Sequence, residues 1–280
     1  MSDISDSEFK AVRELLYAST GIMLNDSKRT LVLNRLRNRL KTTGKTNYAE
    51  YLLLLKNSGP EMEEFINAVT TNETFFFRHD EQLSYLVRNI LPELVKQRQA
   101  QNRLELNVWS AACSTGEEPY TLAILLESFF EKLPGWQFRI HATDINTEVL
   151  ADAKAGLFSE RSLSRIKNKP EMRWFKRAGS RPDCYELDEA IRRRVKFREH
   201  NLMAPAPFRG IDLLLARNVM IYFDKTSKNT AVRHLAAALE QDGYFIVSLS
   251  ETLNDVKTDL QYLKLGIYAR NGKQLRQTLP

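Results

Sequence analysis

The sequence predicts an α/β fold, with a mostly parallel, doubly wound sheet preceded by a small all-α domain. Three observations support this class. The first seventy of the 280 residues repeat apolar side chains at helical spacing only. After about residue 100, short apolar strands alternate with helical segments, which is typical of a parallel sheet covered on both faces. A basic insert, residues 157–201, separates the second helix of this region from its third strand.

Four helices are predicted in the first seventy residues. Residues 5–8, Ser-Asp-Ser-Glu, are typical of a helix cap, and the following apolar residues recur every three or four positions up to Gly21. Further helices are predicted at 28–40, 48–55 and 61–69, with glycine and proline between them. The pattern indicates a small helical bundle.

Four strands and three helices alternate in the second region. The strands are predicted at 104–109, 138–143, 211–216 and 244–249, and the helices at 119–133, 148–155 and 226–240. Within the insert, residues 177–183 form a turn-rich stretch between two short candidate strands. In such folds a ligand site is expected at the carboxyl ends of the strands.

Composition excludes several classes of protein. With 43% hydrophobic residues, 11 Gly and 9 Pro, the chain is neither collagen-like nor of low complexity. Two cysteines, Cys113 and Cys184, cannot form a disulfide framework or a zinc site by themselves, so no metal is expected. The amino terminus is acidic, and no apolar stretch approaches the roughly 20 residues of a membrane span. We therefore expect a cytoplasmic protein without membrane insertion.

The junction after the first strand is the first candidate ligand site. Small residues, 110–116, connect that strand to a helix but include a single glycine, so the dinucleotide fingerprint is absent. Glu117 and Glu118 occupy the helix start, where they would repel phosphate and favour a cationic ligand. A plain connecting loop is the alternative interpretation.

The junction after the second strand adds an acid. Asp144 follows that strand and can accept both hydroxyls of a ribose, although a helix cap is the common role of such a residue. A nucleoside that carries positive charge and no phosphate describes S-adenosylmethionine. The two junctions together favour a methyltransferase over a dehydrogenase.

Two further segments bring polar groups toward the same edge. Three consecutive phenylalanines, 75–77, are consistent with an interdomain plug, and Arg78 directly after them offers a fixed fork for a carboxylate. Arg217 and Asn218 follow the third strand, and Tyr222 lies just beyond, where a buried core tyrosine is the alternative.

The chain resembles the chemotaxis receptor methyltransferases, the CheR family. The resemblance spans nearly the whole sequence and is carried by five stretches, at 71–78, 109–120, 142–150, 201–202 and 217–224. It implies a class I S-adenosylmethionine-dependent methyltransferase fold with an N-terminal helical domain and an inserted antiparallel β flap. The implied boundaries are 1–70 for the helical domain, 71–90 for a linker that contributes to the active site and 91–280 for the methyltransferase domain, with the flap at about 157–200.

The resemblance also implies a reaction and a set of site residues. The family transfers methyl groups from S-adenosylmethionine to glutamates on the cytoplasmic helices of methyl-accepting chemotaxis receptors, leaving S-adenosylhomocysteine. Arg78 and Tyr222 are implied nearest the transferred methyl. Cofactor contacts are implied for Asn72, Thr74, Arg78, Glu118, Asp144, Asn201, Leu202, Ala216 and Arg217.

Substrate docking is predicted on the second helix. Residues 28–45 contain seven basic and no acidic residues, and Lys28, Arg35 and Arg39 share one helical face. We predict that Arg35 and Arg39 attract the acidic receptor surface, and that the enzyme is a monomer that binds no nucleic acid. The alternatives are a methyltransferase that acts on RNA through these basic residues, one that acts on a small molecule, and a merely solvated face.

Overall fold

The computed structural model describes residues 4–179 and 181–270. Its first part is a four-helix unit around a core that includes Leu16, Leu36, Tyr51 and Phe65, each fully buried. The helices are α1 (Asp6–Thr20), α2 (Arg29–Thr43), α3 (Tyr48–Asn57) and α4 (Gly59–Val69). All four predicted helices are present, with bounds that differ by a few residues.

Local chemistry fixes both ends of α1. The Ser5 hydroxyl accepts from the Glu8 amide at 3.2 Å, and the Glu8 carboxylate accepts from the Ser5 amide at 2.8 Å. Gly21 ends the helix at a φ of 72°. A Cβ at this glycine would lie 2.5 Å from the Met203 sulfur, so the position also permits close approach of the two domains.

A seven-stranded sheet forms the centre of the second part. Its strands are β1 (Glu105–Ala111), β2 (Gln137–Asp144), β6 (Val195–Glu199), β7 (Ile211–Leu215), β8 (Leu239–Ile246), β9 (Leu260–Lys264) and β10 (Ile267–Arg270). The order is β6-β2-β1-β7-β8-β10-β9, with the first five parallel and β10 antiparallel to both neighbours. The predicted α/β class is confirmed.

Helices cover the sheet on both faces. They are α5 (Asp80–Tyr85), α6 (Leu91–Ala100), α7 (Glu117–Phe130), α8 (Thr147–Ala155), the short α9 (Glu189–Arg192) and α10 (Lys225–Ala236). Alternate residues of the strands serve the two faces, since Val108 belongs to one core cluster and Trp109 to the other. Within the described residues, no helix is long and apolar enough to cross a membrane.

The insert forms a separate antiparallel sheet. Its strands are β3 (Leu157–Ser159), β4 (Phe175–Arg177) and β5 (Cys184–Leu187), in the order β3-β5-β4. The prediction included residues 195–199 in the flap, and this is wrong. They form β6, which pairs in parallel with β2 in the central sheet. The β6 sequence, Val-Lys-Phe-Arg-Glu, buries one apolar face only, which is why it resembles the polar insert around it.

Buried ion pairs hold the sheet at the end opposite the strands' carboxyl ends. Arg98 of α6 is fully buried and donates to Asp212 of β7 at 2.6 Å and to Asp242 at 2.6 Å. Arg103 also donates to Asp212. A buried charge without an opposite charge beside it would destabilise the fold, so this network has a structural role. It lies away from the carboxyl ends of the strands, where a ligand is expected.

Candidate active site

A cavity of about 290 Å³ lies at the carboxyl ends of β1, β2 and β7. Its walls come from three places: the loops that follow these strands, the linker at 70–78, and the α1–α2 connection of the helical domain. Of the implied site residues, Asn72, Thr74, Arg78, Glu118, Asp144, Asn201, Leu202, Arg217 and Tyr222 line it. Ala216 is fully buried and is not part of the lining.

Asp144 ends β2 inside this cavity. One carboxylate oxygen accepts from the Ser114 amide at 2.8 Å and the other from the Asn146 amide at 3.0 Å. Burial raises the pKa of the Asp144 carboxyl, and these backbone amides oppose the shift. The helix-cap alternative for Asp144 is wrong, because Asn146 is the residue that caps α8. The lone pairs left on the carboxylate can accept ribose hydroxyls.

Glu118 and Arg217 form the polar end of the cavity. Glu118 Oε1 accepts from the Ser110 hydroxyl at 2.8 Å, and its Oε2 lies 3.5 Å from Arg217 Nε. Burial raises the pKa of Glu118 and lowers that of Arg217, while the opposite charge of each partner counteracts the shift. Arg217 donates to the Arg78 carbonyl at 2.5 Å, yet its buried Nε has no hydrogen-bond acceptor among residues 4–179 and 181–270.

The linker carries Arg78 on an aromatic support. The Arg78 guanidinium lies 5.4 Å from the Phe75 ring centroid and donates to the Glu73 carbonyl at 3.2 Å. Phe76 is fully buried, and it packs edge-on against two phenylalanines of the insert, Phe158 and Phe175. Phe76 therefore fixes the linker against the flap and leaves Arg78 at the cavity. The expected plug between the domains is not what forms, because Phe76 and Phe77 belong to the core of the methyltransferase domain and not to that of the helical domain.

The helical domain closes the other side of the cavity. The Met23 amide donates to the Tyr222 carbonyl at 2.9 Å, and Ile22 forms a β-bridge with Phe223. Lys28 Nζ lies 4.6 Å from the centroid of the Tyr222 ring. Sequence reasoning missed this wall, because nothing in the order of residues shows that the α1–α2 connection meets the loop after β7.

Asn201 has a structural task in this wall. Its side-chain amide donates to the Ser19 carbonyl at 2.7 Å and accepts from the Met203 amide at 2.9 Å. The residue thereby joins the loop after β6 to α1. Asn201 lines the cavity, but the donor and the acceptor of its side-chain amide are already used in these two hydrogen bonds. The neighbouring Leu202 supplies an apolar surface.

The prediction that Arg35 and Arg39 lie on an open docking face is wrong. Arg35 donates to the carbonyls of Ala68 and Thr70 at 3.1 and 2.7 Å, at the end of α4. Arg39 pairs with Glu61 at 2.7 Å, and its side chain is only 17% exposed. Helical spacing places both residues correctly on one face, but α4 packs on that face and uses their charges.

The cavity fits an adenosyl cation that bears an amino-acid end. Glu118 can hold an ammonium group, and the orphaned Arg217 Nε can donate to a carboxylate. The Asp144 carboxylate can accept hydroxyl groups, and Leu202 and Ile145 add apolar surface that could contact a base. The charges are arranged as a cationic nucleoside without phosphate requires.

Two family models together match most of the chain. The family model described as CheR methyltransferase, all-alpha domain, matches residues 7–70, and the one described as CheR methyltransferase, SAM binding domain, matches residues 72–269. Among solved structures, the chain is similar to the glycopeptide N-methyltransferase MtfA complexed with S-adenosyl-L-methionine. The identity is 16%, the match covers 57% of this chain and 54% of that one, and the TM-score is 0.34.

Curated relatives share most of their length with this chain. The chemotaxis protein methyltransferase of Borreliella burgdorferi is 34% identical over 96% of each chain. That of Salmonella typhimurium is 35% identical over 95% of this chain and 91% of its own. Chemotaxis protein methyltransferase 2 of Pseudomonas aeruginosa is 38% identical over 87% of this chain and 86% of its own. The expected class I fold with its helical domain and flap is thus confirmed, and the chain belongs to the CheR family of methyltransferases.

Proposed function

We propose that this protein transfers methyl groups from S-adenosylmethionine to glutamate side chains of chemoreceptors, forming glutamyl methyl esters. The proposal places the enzyme in the cytoplasm, as a monomer that acts on the cytoplasmic receptor helices and releases S-adenosylhomocysteine. Support comes from the family, whose curated members are chemotaxis protein methyltransferases, and from the mouth of the cavity.

One observation carries the substrate class. Three large apolar side chains that line the cavity are unusually exposed: Met23 at 47%, Leu31 at 44% and Ile221 at 55%. Lys28 stands among them as a cation. Exposed apolar side chains around a site are typical of a protein-docking surface. A protein segment that presents a carboxylate therefore suits this mouth better than a free small molecule.

The RNA alternative loses two of the seven basic residues on which it depended. Arg35 and Arg39 already bind groups of α4, so they are not available to a phosphate backbone. Aromatic residues are also not interleaved with the basic residues of α2, as single-strand stacking would require. No observation of the cavity favours RNA over a carboxylate.

The proposed reaction requires no general acid or base from the protein. When bound, the cofactor supplies a methyl group on a cationic sulfur. A glutamate carboxylate, with an ordinary pKa of about 4.3, is ionised at neutral pH, so it needs neither a general base nor a metal. The new bond joins a carboxylate oxygen to the methyl carbon, and the electron pair of the broken carbon–sulfur bond stays on sulfur.

The residues at the mouth position the carboxylate and exclude water. Arg78 orients the carboxylate through its fixed guanidinium, and Tyr222 donates a weaker hydrogen bond from its hydroxyl. Burial raises the pKa of Tyr222, which keeps this hydroxyl protonated as a donor. The packing of Lys28 on the ring limits how far Tyr222 can move.

The deciding experiment uses radiolabelled S-adenosylmethionine and membranes that contain chemoreceptors. We expect label on the receptor that mild base releases as methanol, as a methyl ester requires. Receptors with the target glutamates changed to glutamine should stay unlabelled, and an Asp144→Ala enzyme should transfer little. Base-stable label, or label that goes to RNA or a small molecule, would overturn the proposal.

A further inference from the structure

Glu251, in the loop after β8, ties two loops together with one carboxylate. Its Oε1 accepts from the amides of Met220 and Ile221 at 2.8 and 3.3 Å. Its Oε2 accepts from the amides of Asn218 and Ser248, each at 2.8 Å. All four donors are backbone groups, so the contacts fix the course of the chain.

Three of these four donors belong to the loop that carries Tyr222. Met220–Tyr222 form a short 3-10 turn, whose first amides have no partner within the turn. Asn218 has a left-handed φ of 61°, which an asparagine tolerates but which needs support from its surroundings. Hydrogen bonds to an ionised acceptor are about twice as strong as neutral ones. Glu251 therefore stabilises both the turn and the strained residue before it.

Glu251 lies outside the lining of the cavity. Its negative charge still acts on the polar end, because it adds to the raised pKa of Glu118 and opposes the lowering of the pKa of Arg217. Arg217, on the same loop, is anchored separately by the Arg78 carbonyl and lies beside Glu118. Removing the carboxylate should thus disturb the turn around Tyr222 more than the polar end of the cavity.

We propose that Glu251 is a positioning residue for methyl transfer, which holds the Met220–Tyr222 turn so that the Tyr222 hydroxyl reaches the substrate carboxylate. The catalytic consequence of this proposal rests on the proposed function. The immobilisation of the turn does not depend on that function.

Amide hydrogen exchange tests the structural part without any substrate. In Glu251→Gln, one acceptor oxygen becomes an amide nitrogen that faces donors, so peptides covering 217–223 should exchange at least tenfold faster. Glu127→Gln is the matched control. Glu127 also uses both oxygens, at 2.9 and 3.1 Å from Arg194, and it does not line the cavity. Unchanged exchange at 217–223 in a folded Glu251→Gln protein would overturn the proposal.

A double-mutant cycle tests the route to catalysis. Glu251→Gln should lower kcat for receptor methylation at least tenfold in the wild-type background, and less than threefold when Tyr222→Phe has already removed the hydroxyl. The Kd for S-adenosylhomocysteine should stay within threefold. An equal loss of kcat in both backgrounds would overturn the proposal. If the glutamine variant fails to fold, Glu251→Asp, which keeps the charge with a shorter reach, enters the same comparison.

The two arms distinguish this proposal from the proposed function. A wild-type enzyme that places no base-labile methyl groups on receptors overturns the proposed function, whatever the exchange result. A wild-type enzyme that does so, combined with rigid 217–223 peptides in Glu251→Gln, overturns only the role of Glu251.

Discussion

Lys28 Nζ lies 4.6 Å from the centroid of the Tyr222 ring, so a cation of the helical domain covers an aromatic residue of the methyltransferase domain at the mouth of the cavity. The Met23–Tyr222 hydrogen bond and the Ile22–Phe223 bridge lie beside this contact. The helical domain is therefore part of the site, and its first loop can influence both the substrate and the position of Tyr222.

Lys28→Gln should raise the KM for receptor several-fold and lower kcat less. The change removes a cation that attracts the substrate carboxylate and a cation–π contact of roughly 0.5–2 kcal/mol. Lys41→Gln, on exposed α2 surface outside the cavity lining, is the control and should behave as wild type. Initial rates over a range of receptor concentrations measure the effect. Equal kinetics for both variants would remove Lys28 from substrate binding.

Tyr222→Phe should lower turnover more than cofactor affinity. The ring and its contact with Lys28 remain, and only the hydroxyl assigned to the methyl-transfer step is lost. Tyr262→Phe, on the exposed surface of β9, is the control. Receptor methylation rates and calorimetry with S-adenosylhomocysteine separate the two quantities. A parallel fall in both would contradict the assigned role.

Asp144→Ala should weaken S-adenosylmethionine binding by about 2–4 kcal/mol, because hydrogen bonds from two ribose hydroxyls to a charged acceptor disappear. The bonds from Ser114 and Asn146 are also lost, so thermal unfolding must show that the variant is folded. Asp152→Ala, an exposed acid on α8, is the control. Unchanged affinity in a folded Asp144→Ala protein would restrict Asp144 to its loop contacts.

Cofactor affinity should fall as the pH drops, and the fall should begin above the range of ordinary carboxyls. Burial raises the pKa of both Asp144 and Glu118, and a cationic ligand binds their ionised forms. Binding at mildly acidic pH should therefore release protons. The stability of the ligand-free protein depends on pH in the opposite direction. A carboxyl whose pKa is raised in the folded state makes the folded protein more stable as the pH falls. Calorimetry in buffers of different ionisation heat tests the release, and a flat profile would contradict it.

The sequence predicted the parts of the fold that depend on local pattern. Apolar periodicity found the four N-terminal helices and the strands that become β1, β2, β7 and β8, although their ends shifted by up to five residues. Residues 80–100, with α5 and α6, received no helix in the prediction. The antiparallel strands β9 and β10 were also missed, because short strands near the end of the chain carry little periodicity.

The sequence indicated the cavity-lining residues that lie at or near the carboxyl end of a strand. It did not indicate contacts between segments that are far apart in the chain. Asp144 ends β2, Arg217 follows β7, and Glu118 lies in the first turn of the helix after β1, so topology alone brings them to one edge of the sheet. Lys28 reaches the cavity, and Glu251 reaches the loop that carries Tyr222, through the docking of one loop on another. Arg35 and Arg39 show the converse error, because charge and spacing on α2 cannot reveal that α4 covers the same face.

Arg39→Met should destabilise the protein and leave receptor recognition unchanged. Glu61 is almost completely buried, and its carboxylate accepts from Arg39 Nε at 3.0 Å, from Arg39 Nη2 at 2.7 Å and from the Tyr51 hydroxyl at 2.8 Å. Methionine keeps the apolar stem but leaves this carboxylate without its cation. Breaking a mostly buried pair from one side costs about 2–4 kcal/mol of the free energy of unfolding.

Denaturant unfolding measures that loss, and the double change Arg39→Met with Glu61→Gln should recover part of it, because no uncompensated charge is then buried. The KM of Arg39→Met for receptor should match that of the wild type at both low and high salt, in contrast to the KM of Lys28→Gln. A folded Arg39→Met enzyme with normal stability and a raised KM would return Arg39 to the docking role that its position on α2 first suggested.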